Sequence, residues 1–388
     1  MNRIPLSEVC DYSNVSTSVS SLTLDTFIST DNMMPNRGGI VEAVNLPPAN
    51  SCPKFEKDNI LLSNIRPYFK KIWFATFEGG CSTDVLVLKC KNEKYNPKYV
   101  YYNLFQDLFF KHMMNGAKGS KMPRGDKDQV MTFLISEYPE QYQKQVANYL
   151  SLLDDKIFLN NKIIAELEQM SNNIYKYWFV QFDFPNETGN PYKNSGGEME
   201  FNIESGREIP VGWLVKKIDE VAAVKAGGDK PEIFSLFKTE QCSIPIYSNG
   251  IDNEGLYGYT QEASIKRQSI TVSARGTIGY CVLRNAPFVP IIRLIVVTPN
   301  ITHSSKYFHE YLKSVEYIKN GSVQQQLTAP EISSFKIIIP KSEVLEKFDK
   351  ITSNYTEKIE LIKIETQALI SLRDFLLPLL LNGQVKVK

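Results

Sequence analysis

Three histidines, His112, His303 and His309, are all that the 388 residues offer for imidazole acid–base or metal chemistry. His303 and His309 flank the start of an expected helix without sharing a face, so they read as structural or solvated. The phosphate loop G-x-x-x-x-G-K-[ST], the G-x-G-x-x-G fingerprint, the G-x-S-x-G elbow and H-E-x-x-H are all absent. Asp84, followed by Lys89 and Lys91, suggests the edge of a nuclease carboxylate site. Such a site needs a second acid to hold a divalent cation, and this strand carries none, so Asp84 reads as a solvated strand end. Pro47-Pro48 lacks the following aromatic residue of an amino-methyltransferase motif. Six cysteines, at 10, 52, 81, 90, 242 and 281, form no C-x-x-C pair and read as free thiols in a reducing cytoplasm. No catalytic residue, metal site or cofactor is therefore expected.

Polar side chains beside Gly and Pro are more informative. Gly116-Ala117-Lys118-Gly119-Ser120-Lys121-Met122-Pro123-Arg124-Gly125, with Lys127 just beyond, is a flexible basic loop able to reach phosphates or guanine edges. Asn320-Gly321-Ser322-Val323-Gln324-Gln325-Gln326-Leu327-Thr328 stands at the same place in the second half, with glutamines suited to the adenine N6/N7 edge. Ser63-Asn64-Ile65-Arg66-Pro67-Tyr68 aligns with Ser273-Ala274-Arg275-Gly276-Thr277-Ile278-Gly279. Each sets an arginine, Arg66 or Arg275, in a turn leaving a strand, with Lys70 and Thr277 close by. Gly276 and Gly279 serve that tight turn rather than a phosphate cradle. Asn249, Lys266 and Arg267 complete the candidate DNA-binding residues. The plainer alternative is that both loops are ordinary solvated helix-to-strand turns.

The scaffold for these loops is a repeated globule and long helix. Residues 1–139 hold short β-rich runs at 59–66, 70–76, 82–89 and 130–135, and a helix over 97–114 with Tyr101, Leu104, Phe105, Leu108 and Phe109 inward. Residues 140–182 carry a long helix whose seam, Val146, Leu150, Leu153, Ile157, Ile164, Leu167, Ile174 and Trp178, advances by alternating fours and threes. Asn160 falls on that seam. Residues 183–212 read as a loop-like connector rich in Asn, Gly, Ser and Pro. Residues 213–340 repeat the first globule, with strands at 270–274, 279–283, 294–298 and 335–339 and a helix at 306–319 facing Tyr307, Tyr311, Leu312, Val315 and Ile318 inward. Residues 341–388 carry the second long helix and tail, with a seam of Leu345, Phe348, Tyr355, Ile359, Ile362, Leu369, Leu372 and Leu376. Offset by about two hundred residues, Val146 falls on Phe348, Leu153 on Tyr355 and Leu167 on Leu369, the mark of an internal duplication. The fold class is α+β.

A net charge of +1 is low for a chain that would grip nucleic acid alone, so a DNA-binding role requires partners to share the phosphate contacts. No apolar run approaches the roughly 20 residues that span a bilayer, and the N-terminus lacks a signal-peptide core. A cytoplasmic protein without membrane contact is expected.

The duplicated layout resembles the specificity (S) subunit of type I restriction–modification systems. The resemblance rests on Ser273-Ala274-Arg275-Gly276-Thr277-Ile278-Gly279, Pro245-Ile246-Tyr247-Ser248-Asn249-Gly250 and Ile209-Pro210-Val211-Gly212-Trp213. Tyr192-Lys193-Asn194-Ser195-Gly196-Gly197-Glu198-Met199 looks like the family's connector, and the likeness covers essentially the whole chain. It implies two mixed α/β target recognition domains separated by two long antiparallel helices forming a coiled-coil spacer. Each domain would read half of a split, asymmetric double-stranded DNA site. The helices would dock two methyltransferase (M) subunits, to which two restriction (R) subunits can add, and all chemistry would belong to those partners. Leu153, Ile157, Leu167, Ile174, Tyr355, Ile359, Leu369 and Leu376 are the expected spacer and docking positions. The rival is a non-catalytic adaptor with two protein-binding globules on a coiled-coil strut.

Overall fold

A computed structural model describes residues 2–119, 121–317 and 326–386. The chain forms two compact units, Met1–Asn161 with Lys363–Lys388, and Lys162–Ile362. Both long helices are shared out between the units.

The first unit is built on a four-stranded antiparallel sheet in the order Cys10–Tyr12, Val85–Cys90, Ile60–Ser63, Ile72–Phe74. Ile60-Leu61-Leu62 and Val85-Leu86-Val87-Leu88 lack polar alternation because both faces of the sheet are covered. Ile60, Leu62, Leu86 and Leu88 face a core shared with Tyr99, Phe105, Phe109, Val146, Leu150, Leu377 and Leu380. Leu61, Val85 and Val87 face a smaller core with Ile28, Met33 and Phe55. That second core lies under an outer sheet of Ser16–Ser18, Ser51–Phe55, Gly79–Cys81 and Phe27–Ile28. A Cβ on Gly79 would overlap the Thr26 carbonyl and the Phe55 ring, so only glycine permits this approach.

Two local expectations need correction. The helix expected over 97–114 is broken into Pro97–Leu104 and Asp107–Asn115 by an extended Gln106. Asn96 caps the first piece, accepting from the Tyr99 amide at 3.0 Å, with Pro97 at its first position. The break turns Leu108 out to solvent and brings Phe110 and Met113 into the core instead. Residues 130–135 are not one strand. The Asp126 carboxylate accepts from the amides of Asp128 and Gln129, starting a helix at Lys127–Met131. Only Leu134–Ser136 is extended, paired with Arg3–Pro5.

The second unit repeats this frame. Leu214–Lys217, Ile218–Val221 and Ala222–Ala226 follow one another as strand, short helix and strand, as Arg3–Pro5, Leu6–Val9 and Cys10–Tyr12 do. The sheet order Ala222–Ala226, Ile295–Pro299, Ser269–Val272, Cys281–Arg284 matches that of the first unit, and Lys336–Ile339 closes on Leu214–Lys217. The helix runs only over Ser305–Ser314, because Val315 is already extended; Ile318 lies outside the described residues. The outer sheet, Phe234–Ser235, Leu256–Thr260, Ile244–Tyr247 and Val289–Pro290, is wired differently from its counterpart. Arg284, 5% exposed, sits against it, 3.6 Å from the Tyr247 ring centre and paired with Glu254 at 3.1 Å. The connector expected to be loop-like is an integral part of this unit. Met199–Asn202 pairs with Arg207–Pro210, and Phe184 stacks between Tyr192 and Trp213 at 4.6 and 5.1 Å in the main core.

The first long helix covers Glu140–Tyr175 and ends in a π-turn, Lys176–Val180; the second covers Ser342–Leu381. In the first helix, Val146, Leu150 and Trp178 are buried, and Leu153, Ile157, Ile164, Leu167 and Ile174 half-buried, along one seam. In the second, Leu345, Phe348 and Ile359 are buried, and Tyr355, Ile362, Leu369 and Leu376 half-buried. Leu372 is a correction. It is exposed, and Arg373, 8% exposed, takes the seam position. Its guanidinium donates to Asp154 at 2.8 Å and Asp374 at 2.9 Å and lies 4.7 Å from the Phe105 ring centre. Tyr102 donates its hydroxyl to the other Asp154 oxygen at 2.7 Å. One step along, Asn160 donates to Glu365 at 2.8 Å and Thr366 at 3.1 Å. Rising numbers on one helix meet falling numbers on the other, so the pairing is antiparallel.

Removing one partner of a buried ion pair costs about 3–5 kcal/mol. Asp154 is partly solvated and Asp374 remains, so Asp154→Ala should cost about 2 kcal/mol in urea unfolding. The paired replacement Asp154→Leu with Arg373→Leu should restore most of that loss. Equal destabilisation by the single and double variants would show that the ion pair is not the operative contact.

Candidate nucleic-acid interface

In the first unit the central strand Ile60–Ser63 runs out into Asn64-Ile65-Arg66. Arg66 and Lys70 both adopt left-handed backbone, at φ 48° and 52°, around the 3-10 turn Pro67–Phe69. The basic loop docks on this turn. The Gly125 amide donates to Asn64 O at 3.0 Å, and the Arg66 amide donates to Pro123 O at 2.7 Å. Lys118 and Arg124 exchange backbone hydrogen bonds of 3.0 and 2.9 Å across the loop. Thus Arg66, Lys118, Lys121 and Arg124 share one edge of the unit, while Ser120 lies outside the described residues.

Several of these cations are already engaged. Lys118 pairs with Asp126 and Arg124 with Asp84, each at 3.1 Å, so Asp84 is an ion-pair partner rather than a merely solvated strand end. Lys70 pairs with Asp107 at 2.8 Å, a carboxylate it shares with Arg37. Lys127 lies over Tyr12, 5.8 Å from the ring centre. Arg66 and Lys121 are exposed without an ion pair among the described residues. The same edge carries Tyr68 and Phe69, both exposed, with ring centres 4.6 Å apart and Lys71 5.7 Å from the Phe69 ring. Their signal was present as an aromatic pair inside the run Arg66-Pro67-Tyr68-Phe69-Lys70-Lys71.

The second unit builds the same joint from other side chains. The Leu327 amide donates to Ala274 O at 3.0 Å, repeating the Gly125 to Asn64 bond. Arg275 reaches across to the Gln326 side-chain oxygen at 2.8 Å; Gln324 and Gln325 lie outside the described residues. Gly276 and Gly279 hold φ 70° and 82°, and a Cβ on Gly279 would meet the Tyr317 ring. Thr277 is exposed beside Arg275. Both ends of the Asn249 amide are used by backbone: its oxygen accepts from Ala274 N and its nitrogen donates to Ile292 O, each at 2.7 Å. Asn249 therefore holds the Arg275 turn in place. Lys266 and Arg267 precede strand Ser269–Val272, at its opposite end from Arg275, and Arg267 donates to Pro299 O at 2.8 Å.

The histidines are held locally. His112 Nε2 is 2.8 Å from Gln129 O, and His303 is 2.8 Å from Asp349. Burial drives His309 below the ordinary imidazole range. Among the described residues no cluster of three His, Cys, Asp or Glu side chains could hold a metal ion.

A family model described as the type I restriction modification DNA specificity domain matches residues 6–169 and 210–371. The chain belongs to this type I restriction–modification specificity family. Each matched segment spans one globule and much of the following long helix, in keeping with the duplication. The chain is 26% identical over 312 residues to the type I restriction enzyme MjaIX specificity subunit of Methanocaldococcus jannaschii, covering 75% of this chain and 69% of the relative. It is 23% identical over 431 residues to the type I restriction enzyme HindI specificity subunit of Haemophilus influenzae, covering 92% and 94%. The crystal structure of a type I restriction–modification S subunit from M. genitalium shares the fold, with a TM-score of 0.57, 16% identity and coverage of 98% and 95%. Among the described residues no helix is long and apolar enough to cross a membrane.

Hydrogen bonds from Lys70 and Arg37 hold the Asp107 carboxyl at about 2. An unfolded aspartate titrates near ~3.9. A depressed folded value gives stability that is present above the unfolded value and is lost as pH falls through the folded one. Asp107→Asn should therefore flatten the stability profile between roughly pH 4 and pH 2. Urea midpoints that fall as steeply in the variant as in the native chain would contradict this.

Proposed function

We propose that residues 1–139 and 213–340 are two target recognition domains, each reading one half of a split, asymmetric double-stranded DNA site. In this reading 183–212 joins the halves, and the helices over 140–182 and 341–388 set the spacing between them. The observation that carries the reading is the repeated joint. In each unit the loop after the globule's helix makes the same backbone bond, Gly125 N to Asn64 O or Leu327 N to Ala274 O, with an arginine-bearing turn, yet the exposed side chains differ. One scaffold with two polar faces suits two readers of different sequence. Arg66, Lys118, Lys121 and Arg124, with Tyr68 and Phe69, are the proposed contacts of the first reader, with Lys70, Ser120 and Lys127 at its margin. Arg275, Thr277 and the glutamines 324–326 are those of the second. Asn249 positions that turn, and Lys266 and Arg267 flank the central strand.

The seam residues Leu153, Ile157, Leu167, Ile174, Tyr355, Ile359, Leu369 and Leu376 hold the helices to each other. Leu152, Phe158, Ile364 and Phe375 are largely exposed in the first unit and supply apolar surface for docking two M subunits, with two R subunits adding to that assembly. Methyl transfer to adenine N6 and ATP-driven cleavage would then reside in those cytoplasmic partners. Partner contributions to phosphate binding fit a chain whose net charge is only +1.

The decisive experiment maps methylated adenine genome-wide in cells expressing this chain with an M subunit of its system. A split motif that requires this chain is expected. A folded, associated complex that leaves no such motif would favour the adaptor reading. Replacing Lys118, Lys121 and Arg124 with glutamine should weaken DNA binding of the assembled complex at least about tenfold and make its log–log salt slope shallower by about three. Unchanged affinity and slope would remove the loop from the interface. Leu152→Glu with Phe375→Glu should leave the chain folded but unable to hold M subunits. Retained assembly would place the docking surface elsewhere.

A further inference from the structure

Cys10 and Cys90 are direct partners in the antiparallel ladder between Cys10–Tyr12 and Val85–Cys90. Backbone bonds from Lys91 N to Val9 O and from Ser13 N to Val87 O, both 2.9 Å, mark the hydrogen-bonded positions of this ladder. Alternation makes Cys10–Cys90 a non-hydrogen-bonded pair, the class whose Cα atoms lie about 4.5 Å apart with side chains turned together. The two Sγ atoms are 3.7 Å apart. A Cα spacing of that class falls within the roughly 4.4–6.8 Å that a disulfide spans, so rotation of the side chains can close the bond.

The two thiols differ in access. Cys10 is 1% exposed in the main core of the first unit. Cys90, at the strand's end, is half-buried and packs against the edge of that core. A hydrogen bond from the Cys10 thiol draws Cys90 below the ordinary thiol range, while the same bond, together with burial, pushes Cys10 up. Burial pushes Cys81, wholly enclosed, up to about 12.

We propose that Cys10 and Cys90 form a reversible redox dithiol, in which Cys90, the more exposed of the two, meets a peroxide and Cys10 resolves it. The Cys90 thiolate attacks one peroxide oxygen, the O–O bond breaks, and the leaving hydroxide takes a proton to become water. Cys90 is left as a sulfenic acid. The Cys10 sulfur then attacks that sulfur, its proton and the hydroxyl leave as a second water, and the disulfide forms. The sulfur pair loses two electrons and the peroxide gains them. The disulfide would tie down the strand that bears Tyr12, whose hydroxyl donates to Lys127 O at 2.9 Å at the foot of the basic loop. The dithiol itself does not depend on the DNA reading.

The test treats the full native chain with hydrogen peroxide, blocks remaining thiols with N-ethylmaleimide and maps the peptides by mass. The expected product is one cross-linked peptide joining Cys10 to Cys90, lighter by two hydrogens, about 2 Da, and restored by dithiothreitol. It should form at least roughly tenfold faster than any oxidation of Cys81. Cys90→Ser should abolish the product, and Cys10→Ser should leave a Cys90 sulfenic acid that dimedone traps. The cross-link in the native chain needs neither variant. Over-oxidation of Cys90 without a link to Cys10, or reaction no faster than at Cys81, would overturn the proposal.

Discussion

Arg373 occupies a place in the helix seam where the repeat calls for an apolar side chain. Its long stem and planar head let one residue do three things at once. It continues the helix contact, donates to Asp154 of the opposing helix and lies on Phe105 from the sheet domain. Isolated charge in a core costs several kcal/mol, so Asp154, Asp374 and the Tyr102 hydroxyl have to be in place together. Sliding the helices by one heptad would strand that charge and the nearby Asn160 amide. The ion pair therefore acts less as glue than as a pin on register, and the placement of the first unit's sheet against its helix pair depends on it.

Both units share the inner frame and differ at the periphery. A strand, a short helix and a strand open each one, a four-stranded sheet of the same order follows, and the closing strand returns to the first. The cover of the sheet is where they part. The first unit seals its outer sheet with Leu61, Val85, Val87 and Phe55, and the second places Arg284, Tyr247 and Glu254 in that layer. Variation is thus concentrated in layers that the inner core does not need in order to close. A duplicated chain of this family can change one polar face without reworking the other.

Much of this was legible from periodicity. The alternating steps of four and three along both helices, the shared offset of about two hundred residues and the recurrence in each half of an arginine turn and of a polar loop are all sequence patterns. What escaped was decided by competition between local signals and distant partners. Leu372 and Arg373 both lie at permitted steps from Leu369, and hydrophobicity favours the leucine until Asp154 is known to sit opposite. The break at Gln106 carries neither Gly nor Pro and follows from how Phe105 and Phe109 each meet the core. Polar composition made the connector look like free loop, although Phe184, Tyr192 and Trp213 stack there. At the basic edge the cations were visible, but their carboxylates come from elsewhere: Asp84 from before a strand, Asp107 from the helix after Gln106.

The division of the chain also bears on the order in which its parts can be completed. Lys162–Ile362 is one continuous stretch, whereas the first unit draws Leu377, Leu380 and Leu381 from far downstream into the same core as Val146 and Leu150. A ribosome releases the N-terminal sheet first, yet that sheet waits with an open apolar face while the whole second unit is made. The later-born half can finish folding before the earlier one. During that interval the exposed core of the first half is the natural substrate for a holdase chaperone, and slowed elongation over residues 162–362 would lengthen its exposure.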